Sequence, residues 1–182
     1  MGEIHYQPLL VALSYVISVL GSYTALRLAV AIPQAQDRAS AIGWTLGAAT
    51  ALGGGAIWSM HFIGMNAADM GVPVAYDATL TFTSLLLAIV APGVGLYMVG
   101  RGQGSVVKLV LAGIFTGLGV AVMHYTGMAA MIMPATINYD PNLFNLSLVI
   151  AVAAATVAFW LAFNLRDNLQ RFGSALVMGV AV

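Results

Sequence analysis

Long apolar runs separated by short polar clusters dominate the chain. A bilayer whose hydrocarbon core is about 30 Å thick needs roughly 20 apolar residues per helix. Cutting the chain at its polar, proline and glycine clusters gives five full spans, at residues 8–32, 41–65, 78–99, 106–133 and 143–165. A sixth apolar helix is predicted to begin near Phe172 and is cut short at Val182. The pattern predicts an all-α, polytopic membrane helical bundle of five full transmembrane helices plus a truncated sixth.

The composition indicates the same environment. Of the 182 residues, 61% are hydrophobic and 7% are charged, whereas an average soluble domain has about 25% charged residues. The six basic residues balance the six acidic ones, which excludes the basic surface that nucleic-acid binding requires. Because the chain has no cysteine, disulfides and thiolate metal sites are excluded as well. We therefore expect the lipid bilayer as the main partner of the chain, and no nucleic acid.

The basic residues set the predicted orientation. They flank the first, third and fifth predicted connections: Arg27, Arg38, Arg101, Lys108, Arg166 and Arg171. Short cytoplasmic loops retain Lys and Arg, so the N-terminus is predicted to lie outside. The residues up to Glu3 lack the basic start of a signal peptide, and we expect no cleaved leader there.

A two-helix unit recurs along the chain. Three helices begin near a tyrosine that is followed eight residues later by a serine: Tyr6 with Ser14, Tyr76 with Ser84, and Tyr139 with Ser147. The returning helices match at residues 60–65 and 123–128, and the predicted units are residues 5–70, 75–133 and 138–182, the last incomplete. Residues 179–182 repeat the tetrapeptide before Met123, so a third copy of the motif is expected just past Val182. Units of one orientation favour a pseudo-threefold axis along the membrane normal, which places the motif histidines side by side.

The repeated motif combines histidine with methionine. His61 and Met65, like His124 and Met128, are four residues apart and therefore project from one helical face. Imidazole and thioether are soft donors that suit copper, especially Cu(I), better than magnesium or calcium. Glycines inside both copies, Gly64 and Gly127, leave room beside the histidines for a ligand or a close helix contact.

Other interpretations of the motif stay open. Methionine also fills gaps in apolar cores, and a membrane histidine can handle protons or simply hydrogen-bond a neighbour. An intramembrane zinc hydrolase needs three histidines and a nearby base, for which Asp69 and Asp77 are the only acids near the first motif. A copper carrier needs a polar path inward, and a haem protein would use His61 and His124 as axial ligands.

The residues around the motif are expected to be structural. The recurring serines are predicted to hydrogen-bond across helices, and the recurring tyrosines to form an interfacial aromatic belt. His5 is predicted to lie at the surface, and Pro92 to kink the third span. Trp58 has no aromatic counterpart at Ala121, and no catalytic role is predicted for it.

The tetrapeptide Met-His-Tyr-Thr at residues 123–126 resembles the motif that names the MHYT-domain family. The similarity covers essentially the whole chain, including Trp-Ser-Met-His-Phe-Ile-Gly-Met at 58–65 and Gly-Met-Ala-Ala at 127–130. The resemblance implies a bacterial integral membrane sensor domain in the inner membrane, with the motifs near the periplasmic side. It places no catalytic constellation in the chain itself, so we expect the chain not to be an enzyme.

The resemblance also implies a signal and a partner. The signal is a diatomic gas (oxygen, CO or NO) or a redox change, sensed through copper, and the partner is a cytoplasmic output domain such as a cyclic-di-GMP enzyme or a histidine kinase. Carried over onto the matching positions, the proposed metal ligands are Met60, His61, Met65, Met123, His124 and Met128. The first copy has Phe62 where the second has Tyr125, so a tyrosine hydroxyl is not required in every copy.

Overall fold

Helices make up most of the computed structural model, which describes residues 5–102, 104–164 and 168–181. The α-helices are α1 (Pro8–Ala29), α2 (Arg38–Ala49), α3 (Ser59–Ala67), α4 (Ala78–Gly100), α5 (Val106–Ala129), α6 (Pro141–Asn164) and α7 (Asn168–Ala181). A π-helix over Thr50–Trp58, called the π segment below, joins α2 to α3. By length and composition, α1, α4, α5 and α6 are able to cross a membrane. The predicted all-α membrane bundle is confirmed, while the count of five full spans stays a prediction.

Several predicted boundaries need correction. The first span ends at Ala29 instead of residue 32, because the next amides bond three residues back in a tighter turn. The fourth ends at Ala129 instead of 133, because residues 131–132 form a strand. The last helix begins at Asn168, four residues before Phe172. Of the predicted basic positions, Arg166 lies outside the described residues.

Capping side chains explain where several helices begin. The Asp37, Asp77 and Ser105 side chains each accept a hydrogen bond from the backbone N–H three residues on, which satisfies a donor that the first helical turn leaves free. The bond from the Ser40 amide lowers the pKa of the Asp37 carboxyl. Asp140 accepts from the amides of the first turn of α6, so aspartates cap the starts of both α4 and α6.

Two short strand pairs close the end of the bundle that carries the motifs, called the histidine end below. Strand β1 (His5–Tyr6) pairs antiparallel with β2 (Ala68–Asp69), and β3 (Ala75–Tyr76) with β4 (Met131–Ile132). The hydrogen bond that follows each pair also recurs, from Gln7 N–H to the Ala67 carbonyl and from Asp77 N–H to the Ala130 carbonyl, both at 2.8 Å. Each pair therefore ties the first helix of a unit to the end of its returning helix.

The π segment packs on α4 through glycine. A Cβ placed on Gly53 would overlap the carbonyl group of Ala88, so only glycine fits this contact. Pro92, inside α4, lacks the N–H that would otherwise bond the Ala88 carbonyl. Thr116 of α5 donates a hydrogen bond to the neighbouring Ala91 carbonyl at 3.1 Å. The Ala88 carbonyl freed by the proline thus faces the π segment instead of lipid.

Lipid-facing and buried positions follow from helix packing. The largest fully buried side chains include Leu26, Leu96, Met123 and Phe159. In contrast, only 11% of the apolar window of α6 is buried. The main contact of α6 is with α5, where Gly113 approaches Thr156 and Gly117 approaches Val152. Small residues of α5 therefore form the seam on which α6 packs.

Candidate metal site

The two motif histidines lie side by side, as the repeat predicts. His61 on α3 and His124 on α5 have ring centroids 4.8 Å apart and an interplanar angle of 63°. His61 is 8% exposed, and its Nε2 atom has no hydrogen-bond partner among the described residues. His124 is more open. We call these two residues the histidine pair. A buried nitrogen without a hydrogen-bond partner is costly in a membrane helix, so the His61 Nε2 atom points to a ligand at this place.

Glycine on the neighbouring helix makes room for His61. A Cβ on Gly127 of α5 would lie 2.5 Å from the His61 Nε2 atom and 3.0 Å from Cδ2, whereas a Cβ on Gly64 would meet no atom within 4 Å. The predicted room is present at both glycines: Gly127 uses it for a close contact with His61 of the other helix, and at Gly64 it is open among the described residues. The repeat is therefore equivalent in sequence but not in contacts.

A cavity of about 340 Å³ opens beside the histidine pair and is called the histidine cavity below. At the histidine end its wall contains Met60, His61, Met123, His124, Tyr125 and Ser147. Farther in, the wall is mostly apolar and includes Ala154, Ala158, Phe159 and Met178. Of the four predicted methionine ligands, Met60 and Met123 line this cavity with the histidines; Met65 and Met128 are half-buried and outside its wall. Their role as ligands stays a prediction.

Aromatic rings connect each histidine to the tyrosine that precedes the first helix of the next unit. His61 contacts Phe62, which contacts Tyr76, with centroid distances of 5.2 and 5.5 Å. His124 contacts Tyr125, which contacts Tyr139, at 5.0 and 5.2 Å. Burial raises the pKa of Tyr76. These ring contacts were not predicted from the sequence. A pattern that indicates them is present there, since each motif histidine is followed by an aromatic residue and each following helix is preceded by a tyrosine.

The recurring serines divide into two groups. Ser84 and Ser147 hydrogen-bond to side chains of another helix, so the prediction of bonds across helices is confirmed for both. Ser14 donates instead to the Val11 carbonyl of its own helix at 2.7 Å. The partner of Ser84 is Trp58, a residue that the sequence analysis left without a role.

The other interpretations of the motif find less support in the described residues. Within the described ranges no three His, Cys, Asp or Glu side chains come together, so a three-histidine zinc site lacks donors there. The imidazoles of the histidine pair touch each other edge to face, which leaves no slot for a porphyrin between them. Among the described residues that line the cavity beyond the histidine end, Thr116 is the only one with a polar side chain, which disfavours an ion path. His5 is exposed in β1, in agreement with its predicted surface position.

These features define a class: a multi-pass helical membrane domain built from a repeated two-helix unit that joins paired histidines at one end. A family model for MHYT, described as a bacterial signalling protein N-terminal repeat, matches residues 1–42, 54–112 and 117–175. The chain therefore belongs to the MHYT family, as its motif predicts.

Curated relatives of the chain are signalling proteins. It is 44% identical over 182 residues to the Pseudomonas aeruginosa protein named bifunctional diguanylate cyclase/cyclic di-GMP phosphodiesterase MucR, and the match covers 97% of this chain and 26% of MucR. Identity to the cyclic di-GMP phosphodiesterase NbdA of the same organism is 40%, over 84% of this chain and 19% of NbdA. Identity to the signalling protein YkoW of Bacillus subtilis is 33%, over 99% of this chain and 23% of YkoW. The chain thus spans between 19% and 26% of the length of these proteins, and no solved structure matches it.

Proposed function

We propose that this chain is the membrane sensor domain of a signalling protein and that it binds copper at the histidine pair. The observation that carries the proposal is the convergence of two imidazoles and two thioethers, from His61, His124, Met60 and Met123, on the wall of one cavity. These donors come from the returning helices of two successive units. A ligand held by both would therefore join α3 to α5.

The donor chemistry fits copper. Two neutral imidazoles and two thioethers form a soft set that suits Cu(I), and the described residues of the cavity wall include no carboxylate to favour a hard ion. Met123 is almost fully buried, and the His61 Nε2 atom has a free lone pair or proton in an apolar setting. Copper at these residues would supply a redox-active centre able to respond to oxygen, CO, NO or a redox change.

The signal would reach the cytoplasm through helix packing. A metal can hold α3 against α5, and a gas can alter that connection. Either one shifts the domain between two helix packings only if it binds one packing more tightly than the other. The apolar histidine cavity is suited to a small uncharged gas. The relatives that carry similar segments include cyclic-di-GMP enzymes by name, and we propose an output domain of that kind, with a histidine kinase as the alternative.

Cu(I) titration of the purified chain in detergent, against a competing chelator, tests the proposal. We expect one tight site in the wild type and at least about tenfold weaker binding in His61→Ala and His124→Ala, since each removes one donor. His5→Ala is the matched control, because His5 is exposed in a strand away from the cavity, and it should bind as the wild type does.

Two results would overturn copper binding at the histidine pair. The first is a wild-type chain with no copper site. The second is a site that His61→Ala and His124→Ala leave unchanged.

A further inference from the structure

Two serines at equivalent places in the repeat each accept a hydrogen bond from the returning helix of the preceding unit. Trp58 donates through its Nε1–H to the Ser84 Oγ atom at 2.9 Å, and the Tyr125 hydroxyl lies 2.8 Å from the Ser147 Oγ atom. Each serine also bonds a carbonyl of its own helix at 2.7 Å, that of Thr81 or that of Phe144. A serine has a single proton to give. Since that proton goes to the carbonyl, the serine oxygen is the acceptor and Tyr125 is the donor.

The two donors come from different positions of the motif. Ser84 and Ser147 are separated by the same number of residues as His61 and His124. On that spacing, the counterpart of Tyr125 is Phe62, which has no hydroxyl, and the counterpart of Trp58 is Ala121, which has no ring. The first unit therefore makes the bond from one helical turn earlier than the second does. Two different side chains therefore donate to equivalent serines, which indicates that the hydrogen bond, and not a particular donor residue, is the recurring feature.

Both donors lie next to a motif histidine. Tyr125 follows His124 directly, and their rings are in edge contact with centroids 5.0 Å apart. Trp58 lies three residues before His61 and packs on Phe62, with ring centroids 4.8 Å apart. Trp58 is also the last residue of the π segment. Because a π segment has wider turns than an α-helix, the register of α2 alone does not set the rotation of α3. The bond of Trp58 to Ser84 at this junction sets it together with the packing of α3 on α1.

The second hydrogen bond lies in the wall of the histidine cavity, where Tyr125 and Ser147 face each other between α5 and α6. The Tyr125 ring also packs on Phe144 of α6, with ring centroids 4.8 Å apart. Ring packing is not directional in the way a hydrogen bond is, so the bond fixes the rotation of α5 relative to α6 at this depth. Any turn of α5 would redirect His124 and Met123.

We propose that Ser84 and Ser147 are positioning residues, each of which fixes the rotation of a returning helix and so aims one member of the histidine pair at the other. A test of this proposal by copper affinity rests on the proposed copper site, whereas a test by the orientation of the histidine rings does not. The recurring serines thereby acquire a role that links each unit to the next.

The test compares Ser147→Ala, Tyr125→Phe and the double variant with Ser147→Thr, which keeps a hydroxyl. Thr126→Val is the matched control, because the Thr126 hydroxyl donates to the Val122 carbonyl of its own helix. The two readouts are Cu(I) affinity by chelator competition and the imidazole nitrogen NMR signals of ¹⁵N-histidine-labelled protein without metal. We expect about tenfold weaker copper binding and shifted His124 signals in both single variants. The double variant should be no worse than either single one, since all three lose the same bond.

Ser147→Thr and Thr126→Val should match the wild type in both readouts. Unchanged His124 signals in Ser147→Ala and Tyr125→Phe would overturn the positioning role, as would effects that add in the double variant. A wild type that binds no copper would refute the proposed function, while the NMR comparison would still decide the positioning role.

Discussion

Gly127→Ala is expected to displace His61 and to weaken copper binding by at least about tenfold, whereas Gly64→Ala leaves binding unchanged. The two glycines hold the same position in the two copies of the motif. A Cβ at residue 127 would lie 2.5 Å from the His61 Nε2 atom, and a Cβ at residue 64 would meet nothing within 4 Å. The ring of His61 must move, and its buried surroundings resist that movement at a cost of about 1–3 kcal/mol.

Chelator competition and the ¹⁵N-histidine spectrum measure both effects on the same samples. Gly64→Ala is the matched control, because it makes the same chemical change at the equivalent position of the repeat. Equal effects of the two substitutions, or none at Gly127, would show that the contact between α3 and α5 does not define the site.

Gly53→Ala should have the largest effect on folding. The added Cβ would overlap the backbone carbonyl of Ala88, and backbone in two packed helices cannot move aside as a side chain can. We expect a loss of about 3 kcal/mol, the upper end for overpacking, together with a rise in the susceptibility of the π segment to protease. Thermal unfolding in detergent, followed by circular dichroism, measures the change.

Gly43→Ala is the control for helix propensity. A Cβ on Gly43 meets nothing within 4 Å, and alanine is favoured over glycine inside a helix by up to about 1 kcal/mol. Its melting temperature should therefore stay the same or rise. A Gly53→Ala protein that melts with the wild type would refute the close packing of the π segment on α4.

The apolar runs predicted the helices well, because a membrane span is specified by its length and mean hydropathy and not by the order of its residues. Pairing of His61 with His124 was also predictable, since two units of one orientation must place equivalent residues at equal depth. The π segment was not predictable from the sequence. Three successive glycines, Gly53 to Gly55, mark a flexible or closely packed stretch without saying which hydrogen-bonding pattern the backbone takes.

The sequence repeat does not predict which contacts each copy of the motif makes. The sequence alone gives Gly64 and Gly127 the same role, but only the second glycine meets the opposite histidine. The donor to the recurring serine likewise changes from Trp58 to Tyr125. Contacts between successive units depend on how each helix turns about its axis, and that rotation is set by packing partners far away in the sequence.

Copper K-edge X-ray absorption on the purified, copper-loaded chain tests the central claim most directly. The account predicts both nitrogen and sulfur neighbours, with the nitrogen signal reduced in His124→Ala and the sulfur signal reduced in Met60→Leu and Met123→Leu. The same spectra of Met65→Leu and Met128→Leu decide whether those two predicted ligands bind the metal. A spectrum with only oxygen and nitrogen neighbours, unchanged by the histidine and methionine substitutions, would contradict a copper site at the histidine pair.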